Sequence, residues 1–439
     1  MLDLRFIRNN PDIVKRDLQK RGRKEKLEVL DELLSNDSER RKLQVEGDEL
    51  RARRNQVTRG ISEAIKAGEK RKADELKKEA SKIPGLIREN EDRAKYLDEE
   101  IAVAVRKFPN ILHHSVPVGK DGSDNAVVRK WPEGKEPKKP HFELKVHGEL
   151  AEENGWADFS RAAKASGAGF AYLLGDLARL DFALQLFALD TLEKRGFTII
   201  EVPLMVDKAP YEGVTDLADF ETMMYKIEGM DKYLIATSEH AIAAMHAGDI
   251  FEPEDLPVRL AGVSPCFRKE IGSHGVDTRG LFRMHQFNKV EQFVFCKQEE
   301  SWKIFDELIA NAELIFQKLG LPYRIVSICT GDIGTVAAKK LDLEVWMPRE
   351  AEYKEAVSCS NCTDYQAVGL SVKYRTRKGG EEKEYCHTLN STAVATSRAM
   401  RSILENCQQK DGSVLIPKAL QPYMNGLEKL RPVKRPKTT

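Results

Sequence analysis

Between Val263 and Phe295 the chain sets charged and aromatic residues at spacings that suit a nucleotide. The segment reads as a strand ending in Phe267-Arg268-Lys269-Glu270, a loop over residues 271–280 containing Gly, Asp and Thr, and a return strand from Leu281. In an extended chain alternate side chains share a face, so Arg268 falls beside Glu270, and Arg283, Phe287 and Glu291 fall together on the return strand. One sheet face then presents two arginines, two acids and an aromatic ring. A hairpin serving stability alone would bury apolar groups there, because buried charges cost several kcal/mol each unless paired. A guanidinium against a phosphate, a carboxylate accepting from an adenine amine and a ring stacked on the base match the same set. A salt-bridge network between domains is the competing explanation.

Two further clusters carry polar groups. Glu355 and Ser358, in Glu-Ala-Val-Ser-Cys-Ser-Asn-Cys, suit a divalent cation bridging phosphates, since Mg²⁺ prefers one or two carboxylates plus substrate oxygens. Cys359 and Cys362 with Cys386 and His387 form the weaker pattern of a Cys3His zinc site; the spacing of the second pair is unfavourable, and free buried thiols with no zinc are expected. Asn390-Ser391-Thr392 leads into a helix expected over residues 393–405, which carries Arg398 and suits recognition of a small polar substrate and neutralisation of phosphate.

The elements that must position these groups follow from periodicity. Residues 176–195 read as an amphipathic helix, followed after Gly196 by a β-branched strand at residues 197–202 that Pro203 stops. Residues 31–105 have a different texture. Leu43, Leu50, Val57 and Ala64 recur every seven residues, as do Leu76, Ile83, Asn90, Leu97 and Ala104 beyond Gly68. Two helices folded back at Gly68 bury this thin stripe against each other in an antiparallel hairpin about 50 Å long, with a kink or looser packing expected at Pro84-Gly85. Its outer half, Arg51 to Lys82, carries 11 basic residues against 5 acidic ones, a charge suited to a phosphate backbone.

The chain has 439 residues, room for two or three domains. Its 71 Lys and Arg against 70 Asp and Glu leave a net charge of +1, so any polyanion must be held by local patches. Charged residues make up 32%, above an ordinary domain, while 41% hydrophobic residues exclude wholesale disorder. With no apolar run of about 18 residues and no signal-like start, a cytoplasmic protein without membrane association is expected. All seven cysteines lie beyond residue 260, and so sparse a set argues for reduced thiols. The expected organisation is an N-terminal domain with the hairpin over residues 1–110, a Pro- and Gly-rich linker over 111–140, a globular domain over 141–425, and a basic, disordered tail over 426–439.

In order, Gly196-Phe197 with Pro203, the Phe-Arg-x-Glu and Arg-x3-Phe-x3-Glu pair at residues 267–291, and the Arg398 helix resemble the three signature motifs of class II aminoacyl-tRNA synthetases. Within that class the opening Met-Leu-Asp-Leu-Arg-Phe-Ile-Arg-Asn-Asn-Pro, the hairpin, Thr237-Ser238-Glu239, and the strings MHQFNKVE, CTGDIG and EVWMP are similar to seryl-tRNA synthetases, in the archaeal or eukaryotic form, over nearly the whole chain. The resemblance implies an α+β fold: a two-helix coiled-coil arm plus a catalytic domain on a mainly antiparallel sheet flanked by helices. It implies ATP-dependent activation of L-serine and transfer to serine tRNA by a cytoplasmic homodimer with Mg²⁺, and does not separate serine tRNA from selenocysteine tRNA as acceptor. Arg268, Glu270 and Arg398 would be the catalytic residues. Thr237, Ser238, Glu239, Arg268, Glu291, Asn390 and Thr392 would surround serine. ATP would meet Arg268 at its α-phosphate, Arg398 at its γ-phosphate, Phe287 and Glu270 at adenine, and Lys269, Met284, Ala356 and Val357 around them, with Glu355 and Ser358 on its Mg²⁺. Arg51, Arg53, Arg54, Arg59, Lys66, Lys70, Arg71 and Lys72 would contact tRNA bound to the partner subunit. The pattern departs from the family's commonest form at Val368-Gly369, where a pair of arginines is usual, and at Ser391, Ala393 and Ser397, where glycines are. The rival readings are a paralogue that loads serine onto a carrier protein and a non-catalytic coiled-coil RNA-binding protein.

Overall fold

The computed structural model describes residues 1–135, 137, 139–215, 221–270 and 280–434. The chain divides into two compact units, residues 2–109 and residue 1 with everything from 110 onward.

The first unit opens with two short helices. Asp3 caps the first, its carboxylate accepting from the backbone N–H of Arg5 and Phe6, and Pro11 starts the second, where a missing N–H costs nothing. Two long helices follow, α1 (Lys26–Lys66) and α2 (Lys70–Arg106), paired along their length. The reversal is at Gly68, whose φ of 73° is a left-handed conformation that an L side chain resists. Of the heptad stripe, Val57, Ala64, Ile83 and Leu97 are buried and Leu43, Leu50, Leu76 and Ala104 are half-buried between the helices, with Leu30, Leu33, Ala73 and Ile87 buried beside them. The proline does not end the helix: α2 runs on through Pro84. Ile83 and Ile87, on either side of Pro84, pack against Val57 and hold the helix to its partner. Asn90, the polar member of the stripe, donates to the Leu43 carbonyl at 3.1 Å, and Asp37, buried at the other end, accepts a two-point contact from Arg8.

The second unit is built on an eight-stranded sheet. In chain order its strands are β1 (Ala126–Trp131), β2 (Thr198–Glu201), β3 (Val258–Phe267), β4 (Gln286–Cys296), β5 (Tyr323–Ser327), β6 (Lys339–Met347), β7 (Glu352–Asn361) and β8 (His387–Ala395). Their order across the sheet is β1-β5-β6-β7-β8-β4-β3-β2, antiparallel throughout except for the parallel β2–β3 pair. Alternation along β4 divides the core: Val290, Val294 and Cys296 join one cluster, Phe293 and Phe295 another. The first is covered by α3 (Gly175–Glu193), α5 (Ser301–Leu319) and α6 (Thr396–Asn406), through Leu180, Leu184, Leu308, Ile315, Phe316 and Ile403. On the other face lies α4 (Ser238–Met245), with Ile242 against Tyr233, Phe293 and Leu370.

Three expectations need correction. The segment expected as a linker over 111–140 contributes β1, whose pairing with β5 makes it the sheet edge. Five of its six residues are exposed, so it shows no apolar stripe, and its ladder comes entirely from a partner some 200 positions away. The tail is not loose through residue 434: Leu430 is buried, Arg431 grips Asp176 at 2.8 and 2.9 Å, and Trp156 donates to the Arg431 carbonyl. Residues 435–439 lie outside the described part. Finally, residues 393–395 belong to β8, and the helix begins at Thr396, placing Arg398 in its first turn.

Candidate active site

A cavity of about 320 Å³ is lined by residues of β4, β7 and β8 together with the chain around α4 and the start of α6. Its wall includes Thr237, Glu239, Arg268, Phe287, Glu291, Glu355, Ala356, Ser358, Asn390, Thr392 and Arg398, which the sequence scatters over more than 160 positions. The sheet does the gathering. Antiparallel register sets Thr392 of β8 opposite Glu291 of β4, and the Thr392 hydroxyl donates to that carboxylate at 3.1 Å. Thr237 caps α4 by accepting from the Glu239 N–H, and so turns Glu239 into the cavity. There Glu239 Oε1 accepts from Asn390 Nδ2 at 3.0 Å and from Gln366 Nε2 at 2.8 Å.

Charge is balanced unevenly around this corner. Lys289 and Glu291 form an ion pair at 2.6 Å with side chains only 6% and 2% exposed. Burial, with the charge of Glu291 beside it, pushes the Glu239 carboxyl up to about 7, against the opposing pull of Lys289. Burial and then Lys289 and Arg268 draw His240 down to about 3; the neutral ring is joined through Nδ1 to the Tyr211 hydroxyl. An ammonium ion is the natural complement to a corner with two carboxylates and one lysine.

Other residues of the cavity lining suit a nucleotide. Arg268 lies over the Phe287 ring, 5.3 Å from its centroid, and Arg398 Nη1 contacts Glu355 Oε1 at 2.8 Å. Glu355, Ser358 and Arg398 face one space, an all-oxygen donor pair beside a guanidinium. Behind them Asp342 pairs in register with Ser358, and burial followed by the charge of Glu355 raises its carboxyl.

Not every expected residue lines the cavity. Strand β3 ends at Phe267, so Arg268 and Glu270 do not share a strand face; Glu270 takes a left-handed φ of 47° and meets Arg283 at 3.6 Å. Arg283 precedes β4 and is half exposed, outside the face assigned to it. Lys269 lies over Tyr225, Ser238 turns inward toward the Gly262 carbonyl, and Met284 and Val357 join the core. The loop over 271–279 lies outside the described residues. The cysteines are all free. Cys359 donates toward the Phe305 carbonyl, Cys362 accepts from Asn390 in the cavity wall, and His387 meets Ser301, so these groups serve separate surroundings. Lys289, His240, Gln366 and Lys340 were missed. Lys289 had a signal, since it stands two residues from both Phe287 and Glu291 on one strand face; the others had none.

In the first unit, Arg53 makes a two-point contact with Glu79, Arg51 pairs with Asp48 and Glu91, and Arg71 and Lys72 pair with Glu75 and Glu69. Arg54, Arg59, Lys66 and Lys70 are exposed, with no ion pair among the described residues.

Residues 1–112 match the seryl-tRNA synthetase N-terminal domain, and residues 223–407 match the class II tRNA synthetase core domain shared by the glycine, histidine, proline, serine and threonine enzymes. A serine–tRNA ligase of Methanocella arvoryzae is 62% identical over 430 residues, covering 98% of this chain and 100% of that one. The chain belongs to the seryl-tRNA synthetase family. Seryl-tRNA synthetase of Pyrococcus horikoshii, in a crystal structure complexed with ATP, superposes with a TM-score of 0.94 at 47% identity, covering 99% of this chain and 100% of that one. The cytoplasmic serine–tRNA ligase of Naegleria fowleri in complex with AMP gives 0.87 at 34% identity, covering 98% and 99%. The α1–α2 hairpin and the antiparallel sheet are thus those of a seryl-tRNA synthetase.

Proposed function

We infer that the chain is a serine–tRNA ligase that activates L-serine with ATP and transfers it to serine tRNA. The observation that carries the reading is that one cavity is lined both by the Glu239, Asn390, Thr392 and Glu291 corner and by the Arg268 and Phe287 pair, which suits a hydroxyl-bearing amino acid beside a nucleotide. Serine's ammonium and hydroxyl bond to Glu239, Glu291 and Thr392, with Asn390 orienting Glu239. Adenine stacks on Phe287. The serine carboxylate attacks the α-phosphate, forming the acyl–phosphate bond of seryl-adenylate as the bond to pyrophosphate breaks. A ribose hydroxyl of the tRNA's terminal adenosine then takes the acyl group and releases AMP. Arg268 neutralises charge at the α-phosphate and carboxylate, Arg398 at the departing pyrophosphate, and the acceleration comes from placement and electrostatics rather than a protein nucleophile.

Glu355 and Ser358 fit Mg²⁺, because an all-oxygen pair facing the phosphate end matches that ion's preference for few protein ligands plus substrate oxygens. An ion held there would supply neutralisation of phosphate charge, and Arg398, which shares Glu355, would add its own. Discrimination against alanine follows from Thr392 and Glu291, buried polar groups that alanine would leave without a hydroxyl to bond. Arg54, Arg59, Lys66 and Lys70 suit the tRNA backbone, and the work of charging tRNA belongs in the cytoplasm. Phe182 and Leu186 of α3 and Ile199 of β2 expose apolar surface suited to a second copy, making the enzyme a homodimer.

The test is serine-dependent ATP–pyrophosphate exchange followed by charging of total tRNA with labelled serine. Exchange and charging are expected together. Exchange without charging would favour the carrier-loading paralogue, and absence of exchange would overturn the enzymatic reading.

A further inference from the structure

Behind the cavity lies a second charged cluster that the reaction as described does not use. Arg401, one turn after Arg398 on α6, is fully buried, donating from Nε to Glu405 at 3.0 Å and from Nη2 to Glu350 at 2.8 Å. Its guanidinium lies 4.5 Å from the centroid of the Phe282 ring, and that of Arg398 lies 5.5 Å from the same ring. One aromatic side chain therefore touches a buried arginine and the arginine of the cavity.

The backbone beside Phe282 is held as well. Leu281 donates its N–H to His147 Nε2 at 3.1 Å, and the other ring nitrogen, Nδ1, stands 3.4 Å from Glu405 Oε1. With Nε2 accepting, the ring proton is carried on Nδ1, which faces the carboxylate across that 3.4 Å. The fit is close: a Cβ on Gly280 would come within 2.4 Å of His147 Nε2. The contacts close on themselves, from Arg401 to Glu405, His147, the Leu281 backbone, Phe282 and back to Arg401.

We propose that His147 and Arg401 are positioning residues for Arg398, acting through the Phe282 ring on which its guanidinium rests. An arginine side chain has many rotamers, and charge neutralisation in a transition state depends on where the guanidinium stands. Apolar residues of similar volume would fill the space behind the ring with equal or greater stability than a buried arginine and two acids. What the charged cluster adds is direction, since the guanidinium fork and the imidazole each fix an orientation. The proposal rests on the reading that Arg398 meets the ATP phosphates.

The experiment is a set of double-mutant cycles on the full-length protein, read by serine-dependent ATP–pyrophosphate exchange, with thermal unfolding to confirm that each variant folds. Phe282→Leu, His147→Leu and His147→Gln are made alone and together with Arg398→Ala. In the presence of Arg398, Phe282→Leu and His147→Leu are expected to lower kcat/KM for ATP about tenfold, leaving the KM for serine within about twofold. His147→Gln, which keeps an acceptor for the Leu281 N–H, is expected to retain more activity than His147→Leu. In the Arg398→Ala background each second change should cost less than about twofold. Equal losses in both backgrounds, or full activity in folded Phe282→Leu and His147→Leu, would overturn the proposal. Wild-type activity in Arg398→Ala would overturn both it and the role given to Arg398, and a wild-type protein without exchange would instead overturn the assigned reaction.

Discussion

Asn390 donates to Glu239 at 3.0 Å although 151 positions separate them, and this bond joins the entry of α4 to strand β8 at the floor of the cavity. It fixes a carboxylate that burial has already made reluctant to ionise.

Glu239→Gln is therefore expected to weaken serine use while strengthening the fold. Its folded value of about 7 exceeds the ordinary 4.5, so its contribution to stability is complete below about 4.5 and is lost as pH rises through 7. Above that, the ligand-free enzyme bears the cost of a partly buried carboxylate, on the order of 2 kcal/mol after allowance for its contact with the open cavity. The variant should match wild type in thermal unfolding near pH 4.5 and exceed it at pH 8, with a serine KM raised at least tenfold. A variant less stable than wild type at pH 8 would contradict the assignment.

Serine binding should improve with pH over the same interval, because only the ionised carboxylate complements an ammonium group. The serine KM in pyrophosphate exchange is expected to fall between pH 6 and 8 in wild type and to be flatter in Glu239→Gln. Parallel profiles would place the titration elsewhere.

Lys289→Met should be among the most damaging single changes in the second unit. It leaves Glu291 buried without its partner at 2.6 Å, a loss of about 3–5 kcal/mol. Lys289→Met with Glu291→Gln should recover much of that stability in denaturant titration without recovering serine activation. Recovery of both would show that Glu291 is only a structural partner.

Glu355→Gln and Ser358→Ala are expected to raise the Mg²⁺ concentration needed for half-maximal exchange several-fold, with little effect on the serine KM. Unchanged magnesium dependence in both would remove these residues from the proposed ion site.

Shortening the hairpin should separate the two reactions. Asn90 and Gly47 face each other, so residues 48–89 are replaceable by a short turn while the buried Asp37–Arg8 contact is kept. Exchange should persist and tRNA charging fall by orders of magnitude. Alanine at Arg54, Arg59, Lys66 and Lys70 should weaken charging more modestly and reduce its salt dependence. Equal loss of exchange and charging in the shortened protein would contradict the hairpin's role.

The elements legible in the sequence were those whose order is local. The heptads and Gly68 define the α1–α2 hairpin, because a seven-residue apolar stripe has one way to be buried on a two-helix rod. The apolar periodicity of residues 176–195 marks α3, and Phe287 and Glu291 stand on one face because a strand repeats every two residues. The residue types at 268, 287, 291 and 398 already spoke of nucleotide chemistry. What only the tertiary structure decided is which groups meet. Register between β4 and β8 places Thr392 on Glu291, the cap of α4 aims Glu239, and an edge strand inside an apparent linker completes the sheet. Likewise Glu270 leaves the face its spacing assigned because β3 ends at Phe267, and Pro84 leaves α2 unbroken because Ile83 and Ile87 are anchored on the opposite helix. Periodicity fixes what each residue's own element repeats, whereas these outcomes depend on hydrogen bonds and packing with segments far away in the chain.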